Sequence, residues 1–167
     1  MIISLISDYQ SKSNVEKFSC GNADLDDYLK KYAHQNHVNN ISKTYLLIDD
    51  EHENSIVGYV TLCATSIRPD HLPKDYLKLP KYLVPAIKIA RLAVDSRYQG
   101  QHFGKALLHY AFKKSITTSI SVGVKLVVVD AKEESKSFYE KYGFISLPDF
   151  PLTYVIAIEK VINAVIK

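Results

Sequence analysis

The residues of this chain best arranged for chemistry lie between Ala86 and Leu108. Residues 86–95 mix small and β-branched side chains, Ile87, Ile89 and Val94 among them, and read as a strand. A polar turn holding Gly100 and Gly104 comes next, and Lys105-Ala-Leu-Leu leads into a long helix. Strand, glycine-bearing turn and helix together present several backbone N–H groups to one anion, where the helix dipole adds partial positive charge. Arg97, Lys105 and the side chain of Gln99 can add donors. On glycine content alone an ordinary strand-to-helix connection is the commoner explanation. Other reactive residue types are sparse. His34 and His37 stand i, i+3 on a predicted helix, a spacing that can bind metal, but no third ligand accompanies them. Solvent-facing or capping histidines are therefore expected, and His109 reads as a helix-surface residue. Two cysteines, Cys20 and Cys63, are too few for a disulfide framework or a tetrahedral metal site. Neither has a basic sequence neighbour to make it nucleophilic.

The elements that must position this stretch follow from apolar spacing. Ile2 to Ile6 suit an edge strand. Asn22 or Asp24 can cap a helix carrying Leu25, Tyr28, Leu29 and Tyr32 and continuing through His37-Val. Thr44–Ile48 and residues 56–64 form two strands around the polar loop 49–54. Residues 66–85 break the pattern: Pro69, Pro73, Pro80 and Pro85 punctuate short apolar pieces (Tyr76, Leu77, Tyr82, Leu83), the mark of a partly ordered insertion. The central helix runs to about Ser119, Lys125–Asp130 is a wholly apolar strand buried on both faces, Glu133–Lys141 is a short helix closed by Gly143, and Leu152–Ile158 is a last strand. This order implies one mixed sheet with helices on both faces.

With 167 residues, 47% apolar and 23% charged, the chain can close one core and is not a disordered segment. No apolar run reaches the length of a membrane span, and the first residues lack the basic start of a signal peptide. A reducing cytoplasm is the default compartment. The net charge of +3 is unevenly spread. Residues 67–91 hold Arg68, Lys74, Lys78, Lys81, Lys88 and Arg91 against only Asp70 and Asp75, and residues 104–125 hold four lysines and no acid. Such excess marks either an anionic partner, nucleic acid or a phosphorylated cofactor, or simply a solvated face.

Two motifs, with the buried strand between them, resemble the GCN5-related N-acetyltransferase (GNAT) superfamily. Arg97-Tyr-Gln-Gly-Gln-His-Phe-Gly-Lys-Ala-Leu-Leu is similar to its pyrophosphate loop, Gln/Arg-x-x-Gly-x-Gly/Ala. Ser137-Phe-Tyr-Glu-Lys-Tyr-Gly-Phe is similar to its Phe-Tyr-x-x-x-Gly-Phe helix beside the acetyl thioester. Phe18-x-Cys-Gly-x-x-x-Leu-Asp-x-Tyr-Leu, Thr44-Tyr-Leu, Gly58-Tyr and Ala90-Arg-Leu-Ala-Val-Asp narrow the likeness to the acetyltransferase toxins of bacterial toxin–antitoxin pairs, which acetylate the α-amine of aminoacyl-tRNA.

The resemblance implies an α/β (α+β) fold. Its sheet is mixed, mostly antiparallel, of six to seven strands flanked by helices, in a single N-acetyltransferase domain over residues 1–167. It implies acetyl-CoA as cosubstrate, no metal, and no membrane. The implied partners are aminoacyl-tRNA, a small ribbon-helix-helix antitoxin and, as an open choice, a second copy of the chain. Tyr139 becomes the general acid for the leaving thiolate. The acetyl-CoA contacts fall on Leu92, Ala93, Val94, Arg97, Gln99, Gly100, Gln101, His102, Phe103, Gly104, Lys105 and Phe138. Arg68, Lys74, Lys78, Lys81 and Arg91 are the candidate acceptor-binding residues. His102 departs from the pattern, occupying the loop's second small-residue position. With an ordinary φ it points outward while its N–H still donates, and protonated it can add a charge-assisted contact; alternatively it weakens cofactor binding. Two alternatives stay open: an acceptor that is a small amine or a peptide N-terminus, and a non-catalytic CoA- or antitoxin-binding module.

Overall fold

The computed structural model describes residues 1–74, 76 and 78–166, so Asp75 and Leu77 lie outside the described residues. The strands are β1 (Ile2–Leu5), β2 (Lys43–Asp49), β3 (Ser55–Ile67), β4 (Val84–Val94), β5 (Leu126–Asp130), β6 (Ile145–Leu147) and β7 (Phe150–Ala157). The helices are α1 (Lys12–Lys17), α2 (Ala23–Asp27), α3 (Ala33–Val38), α4 (Phe103–Ser121), α5 (Lys136–Lys141) and α6 (Ile158–Ile166). The strands hydrogen-bond in the order β1-β2-β3-β4-β5-β7-β6, a seven-stranded mixed sheet. β4 and β5 pair in parallel, Ala86–Ile89 against Leu126–Val129, while β1–β2, β2–β3, β5–β7 and β6–β7 are antiparallel. The sheet is mostly antiparallel, as expected. The chain gathers into two compact units, Met1–Cys63 with Ala90–Ala111, and Ala64–Ile89 with the residues from Phe112 onward.

In the first unit an aromatic group organises the core. Tyr59 is fully buried, meets Phe18 edge-on with ring centroids 5.6 Å apart, and stacks on Tyr28 at 6.4 Å. Its hydroxyl donates to the Leu25 carbonyl at 2.7 Å, which satisfies the one polar atom that burial would otherwise penalise. Asn22 caps α2, its side-chain oxygen accepting from the Leu25 N–H at 3.2 Å. The spacing of Leu25, Tyr28, Leu29 and Tyr32 predicts one continuous apolar face, but a π-helical turn occupies Tyr28–Tyr32. The extra residue in that turn rotates the next one, so Ala33 is buried while Tyr32 is 54% exposed.

The same rotation turns His37 inward, where a solvent-facing or capping histidine was expected. His37 is buried, its Nδ1 accepts from the Thr44 N–H at 3.1 Å, and its carbonyl accepts from Lys43 Nζ at 3.0 Å. These bonds tie α3 to the start of β2. Burial, then the nearby Lys43 charge, holds the His37 pKa below the ordinary histidine value. Among the described residues no group of three His, Cys, Asp or Glu side chains is placed to hold a metal ion, and no helix is long and apolar enough to cross a membrane.

The second unit is built on β5, whose Leu126, Val127, Val128 and Val129 are all buried, as a wholly apolar strand requires. Burying each of these side chains contributes about 1.5–3 kcal/mol. The described residues of the 66–85 region are regular at both ends and irregular between. β3 runs on to Ile67, a tight turn covers Pro69–His71, and β4 begins at Val84 with Pro85 second, a strand-start position that tolerates proline. Leu72 is buried in one cluster with Val84, Leu126 and Val155, and Tyr76 and Leu79 pack against it. The last strand starts earlier than its β-branched run suggests, at Phe150, and ends at Ala157, where α6 takes over. Neither α1 nor the three-residue β6 is foreshadowed by the apolar spacing.

The lowered His37 pKa sets a direction for acid sensitivity. An unfolded chain takes up the proton more readily than the folded one, so stability tied to His37 is fully present above the unfolded value of about 6.5. It is lost as pH falls through the lower folded-state value. Thermal midpoints measured from about pH 7.5 down to about pH 5 should decline along this limb, and His37→Gln should flatten it. An unchanged slope in that variant contradicts the assignment.

Candidate active site

The strand end that leads into the anion loop is held by a missing side chain. A Cβ on Gly58 would stand 2.6 Å from the Ala93 carbonyl oxygen and 2.9 Å from Leu107 Cδ1. Only glycine lets β3 come this close to Ala93 and Val94.

Asp95, only 2% exposed, governs the path of the loop. Its N–H donates to the Val57 carbonyl at 2.9 Å. Oδ1 accepts from the Arg97 N–H at 3.0 Å and from Arg97 Nε at 2.8 Å. Oδ2 accepts from Arg97 Nη2 at 3.1 Å and from the Ser19 N–H at 3.1 Å. Burial on its own raises the Asp95 pKa, but these donors outweigh it and hold the carboxyl below the usual carboxylate range. Ser96 adds two bonds to the Ser19 carbonyl, from its N–H at 2.8 Å and its hydroxyl at 2.9 Å. Gln99 Nε2 donates to the carbonyls of Cys20 at 2.9 Å and Val94 at 3.0 Å. The loop is thus sewn to the segment around Ser19 and Cys20.

This differs from the expectation that Arg97 and Gln99 turn their side chains toward an anion. The Arg97 guanidinium is forked onto Asp95, and the Gln99 amide hydrogens are spent on two carbonyls. Both side chains shape the loop. Gln101 adds a longer bond to the Arg97 carbonyl at 3.4 Å. Apart from exposed Lys105, the donors described for a ligand here are backbone ones. The first bond of α4 runs from the Ala106 N–H to the His102 carbonyl at 3.2 Å. The N–H groups of Phe103, Gly104 and Lys105 precede it and have no partner inside the helix. They sit at the positive end of a 19-residue helix, which suits a phosphate. Phe103 is steadied by an edge-on contact with Tyr98 at 6.1 Å.

Gly100 takes φ +77° and His102 takes φ +66°. The ordinary φ that the sequence left open for His102 is therefore not adopted. The backbone follows the left-handed path that a glycine would take, at a cost of roughly 1–2 kcal/mol. Histidine tolerates this region better than most residues, and the side chain here is exposed. The turn that a small residue would make is kept, with the histidine side chain turned to solvent.

In the second unit α5 carries Tyr139, which is 6% exposed. Its ring meets Phe138 edge-on at 5.1 Å and Phe144 at 5.5 Å, and Phe138 in turn meets Tyr142 at 5.1 Å. Gly143, at φ +87°, closes the helix, its N–H donating to the Glu140 carbonyl at 3.0 Å. Burial pushes the Tyr139 phenol up to about 12, so it stays protonated throughout the neutral range.

The basic candidates divide. Lys74, Lys78 and Lys81 are exposed on the second unit. Arg68 is forked onto Asp70 at 3.1 and 2.8 Å, so its charge is balanced locally. Arg91 belongs to the first unit, with its guanidinium 3.9 Å above the Tyr28 ring. Cys20 is a poor nucleophile: burial, then Asp26, raises its thiol to about 11. Gly58 and Asp95 figure in the sequence only as positions of the family likeness, and Ser19 not at all; none is read there as a site residue. A capping-type residue between an apolar strand and a turn was the available signal for Asp95. Nothing in one dimension pairs it with Ser19, 76 positions away.

Asp95→Asn leaves Arg97 short of a charged partner inside the loop and should lower stability by about 2–3 kcal/mol. Because the Asp95 pKa is depressed, its contribution is present above the unfolded carboxylate value of about 3.9 and lost as pH falls through the folded value. At His102 the backbone conformation can be read from two variants. His102→Gly should match or exceed the wild-type thermal midpoint, and His102→Val should fall below it by about 1–2 kcal/mol. Equal midpoints for glycine and valine would contradict the left-handed assignment.

Comparison with known proteins places this geometry. The model of the acetyltransferase (GNAT) domain matches residues 42–146. The chain is 33% identical over 140 residues to a protein of Mycobacterium tuberculosis named tRNA-acetylating toxin, covering 83% of this chain and 82% of that one. Among solved structures, the toxin AtaT complexed with acetyl-methionyl-tRNAfMet superposes with a TM-score of 0.87 at 26% identity, covering 99% of each chain. A tyrosine-to-phenylalanine mutant of KacT superposes with a TM-score of 0.88 at 25% identity, covering 98% of each chain. With a clamped loop heading a long helix, a mixed seven-stranded sheet and these matches, the chain belongs to the GNAT acetyltransferase family.

Proposed function

We propose that this protein is an acetyl-CoA-dependent N-acetyltransferase that acetylates the α-amine of aminoacyl-tRNA and so blocks translation. The observation that carries the reading is the match to a tRNA-acetylating toxin along 83% of the chain. The solved complex of AtaT with acetyl-methionyl-tRNAfMet supports the same acceptor class. Bound acetyl-CoA supplies a thioester acyl group. The loop residues fit such a ligand: the α4 N-terminus offers backbone donors on a rigid turn, and no side chain has to leave an existing bond to free them. In this reading the backbone of Leu92–Val94 pairs with the pantetheine arm and residues 99–105 hold the phosphates. Phe138 packs beside the acyl end.

Acyl transfer forms a C–N bond, breaks a C–S bond and leaves a thiolate that needs a proton. Tyr139 is assigned that delivery, since its raised pKa keeps it protonated at working pH. The amine must arrive neutral, by its own ionisation or through water, because no acidic residue is singled out as its base; the proton it sheds on becoming an amide leaves through water and restores the Tyr139 phenol. Lys74, Lys78 and Lys81 are assigned to the phosphates of the acceptor, with the locally paired Arg68 and the stacked Arg91 as lesser contributors. A ribbon-helix-helix antitoxin is the proposed protein partner, and the cytoplasm, where tRNA is charged, the proposed place of action. The single-domain reading is retained, because the family match at residues 42–146 draws on segments of both units.

Tyr139→Phe should lower aminoacyl-tRNA acetylation by roughly 10²–10⁴-fold. Induced expression of the wild type in a bacterium should arrest growth, and the variant should not. Near-wild-type turnover in Tyr139→Phe would sink the proton-donor role. Replacing Lys74, Lys78 and Lys81 together by alanine should flatten the salt dependence of tRNA affinity by roughly 2 in log–log slope. Acetyl-CoA affinity, read by calorimetry, should stay unchanged in that variant. An unaltered salt slope would remove these lysines from the acceptor site.

A further inference from the structure

We propose that Tyr82 is a stacking platform for an unpaired base of RNA bound along the segment from Leu72 to Leu83. The inference rests on the reading that the acceptor is an RNA, and it names a contact that reading does not supply. Tyr82 is 72% exposed and Leu83 is 57% exposed, immediately before β4. Neither ring nor isobutyl group does anything for the core where it stands.

Described residues of the preceding stretch are anchored. Leu72, Tyr76 and Leu79, at steps of four and three, pack into the second unit's core. Lys74, Lys78 and Lys81, at the same steps, stand exposed between them. One set of side chains pins the segment and the other is offered to solvent. From Leu72 to Leu83 the sequence has three lysines against one acid, Asp75, a local excess that favours an anionic partner. Cations to neutralise phosphates, with a flat aromatic face among them, are the two parts of a single-stranded nucleic-acid site. Every base has a π-face to lay on such a ring. An acidic protein would also be served by the lysines and could pack on the ring, but the acceptor reading calls for an RNA, and titration with tRNA separates the two.

The chain has no tryptophan, so Tyr82→Trp places a lone indole at the site. Titrating this variant with deacylated bulk tRNA, which has unpaired 3′ nucleotides, should quench its emission. A blunt-ended RNA duplex should leave the emission unchanged. In direct binding Tyr82→Ala should lose roughly 5- to 150-fold in tRNA affinity, the range that base–aromatic stacking supplies, while Tyr82→Phe binds as wild type. The salt slope should not change in either, since no phosphate contact is removed. Calorimetry with acetyl-CoA reports that each variant is folded. Full tRNA affinity in Tyr82→Ala, an equal loss toward the duplex, or an indole that ignores bound tRNA overturns the stacking role and leaves the RNA reading intact. A wild-type protein that binds no tRNA overturns both.

Discussion

A buried carboxylate, Asp95, is the constraint on which the first unit depends. An ionised group taken out of water costs several kcal/mol unless its lone pairs are filled, and here four donors fill them. Two of those donors come from the Arg97 side chain, one from its backbone and one from Ser19, so satisfying the charge forces strand end, loop and the segment near Cys20 into one arrangement. The consequence reaches the ligand site. Arg97 and Asp95 cancel, and the loop's pull on an anion is left to backbone N–H groups, the α4 dipole and exposed Lys105. Fixed dipoles of this kind need little reorganisation when charge arrives, which suits a site that must bind one cosubstrate in one pose.

His102 is informative for a related reason. A left-handed histidine costs roughly 1–2 kcal/mol in the folded state, but a glycine there would lose more backbone entropy on folding, by about 0.5–1 kcal/mol. The two penalties nearly offset. The substitution is cheap as long as the side chain has open water to point into, and this one has. The backbone path is the physical requirement at this turn, and the residue type is secondary to it.

Most of the sheet was legible in the sequence. The apolar run 126–129 could only be a strand buried on both faces, and the polar loop 49–54 between two β-branched runs could only be a hairpin. The loop was legible as an anion cradle only beside the motif around Tyr139. Three features were not legible, each for its own cause. The π-turn at Tyr28–Tyr32 moves the buried face from Tyr32 to Ala33, and which of two residues is buried is decided by packing on Tyr59, a long-range matter. The Asp95–Ser19 bond joins residues far apart in the chain. The burial of Leu72, Tyr76 and Leu79 was hidden by prolines, which announce irregular backbone and conceal that irregular backbone can still be docked.

That docking decides how the positive charge of this protein can act. Lys88 is paired with Asp130, Lys125 with Glu159 and Arg68 with Asp70, while Arg91 lies over an aromatic ring. A net charge of +3 therefore says little about partners, because much of the cationic inventory is spoken for inside the fold. Lys74, Lys78 and Lys81 differ in being exposed on a segment whose own apolar side chains hold it down. Charges on a flexible tail would have to be ordered by each phosphate they meet, at roughly 1–2 kcal/mol of backbone entropy per residue. Here that ordering is done at folding, by Leu72, Tyr76 and Leu79. If these lysines meet phosphates as proposed, that anchoring leaves less backbone entropy to be lost when they do.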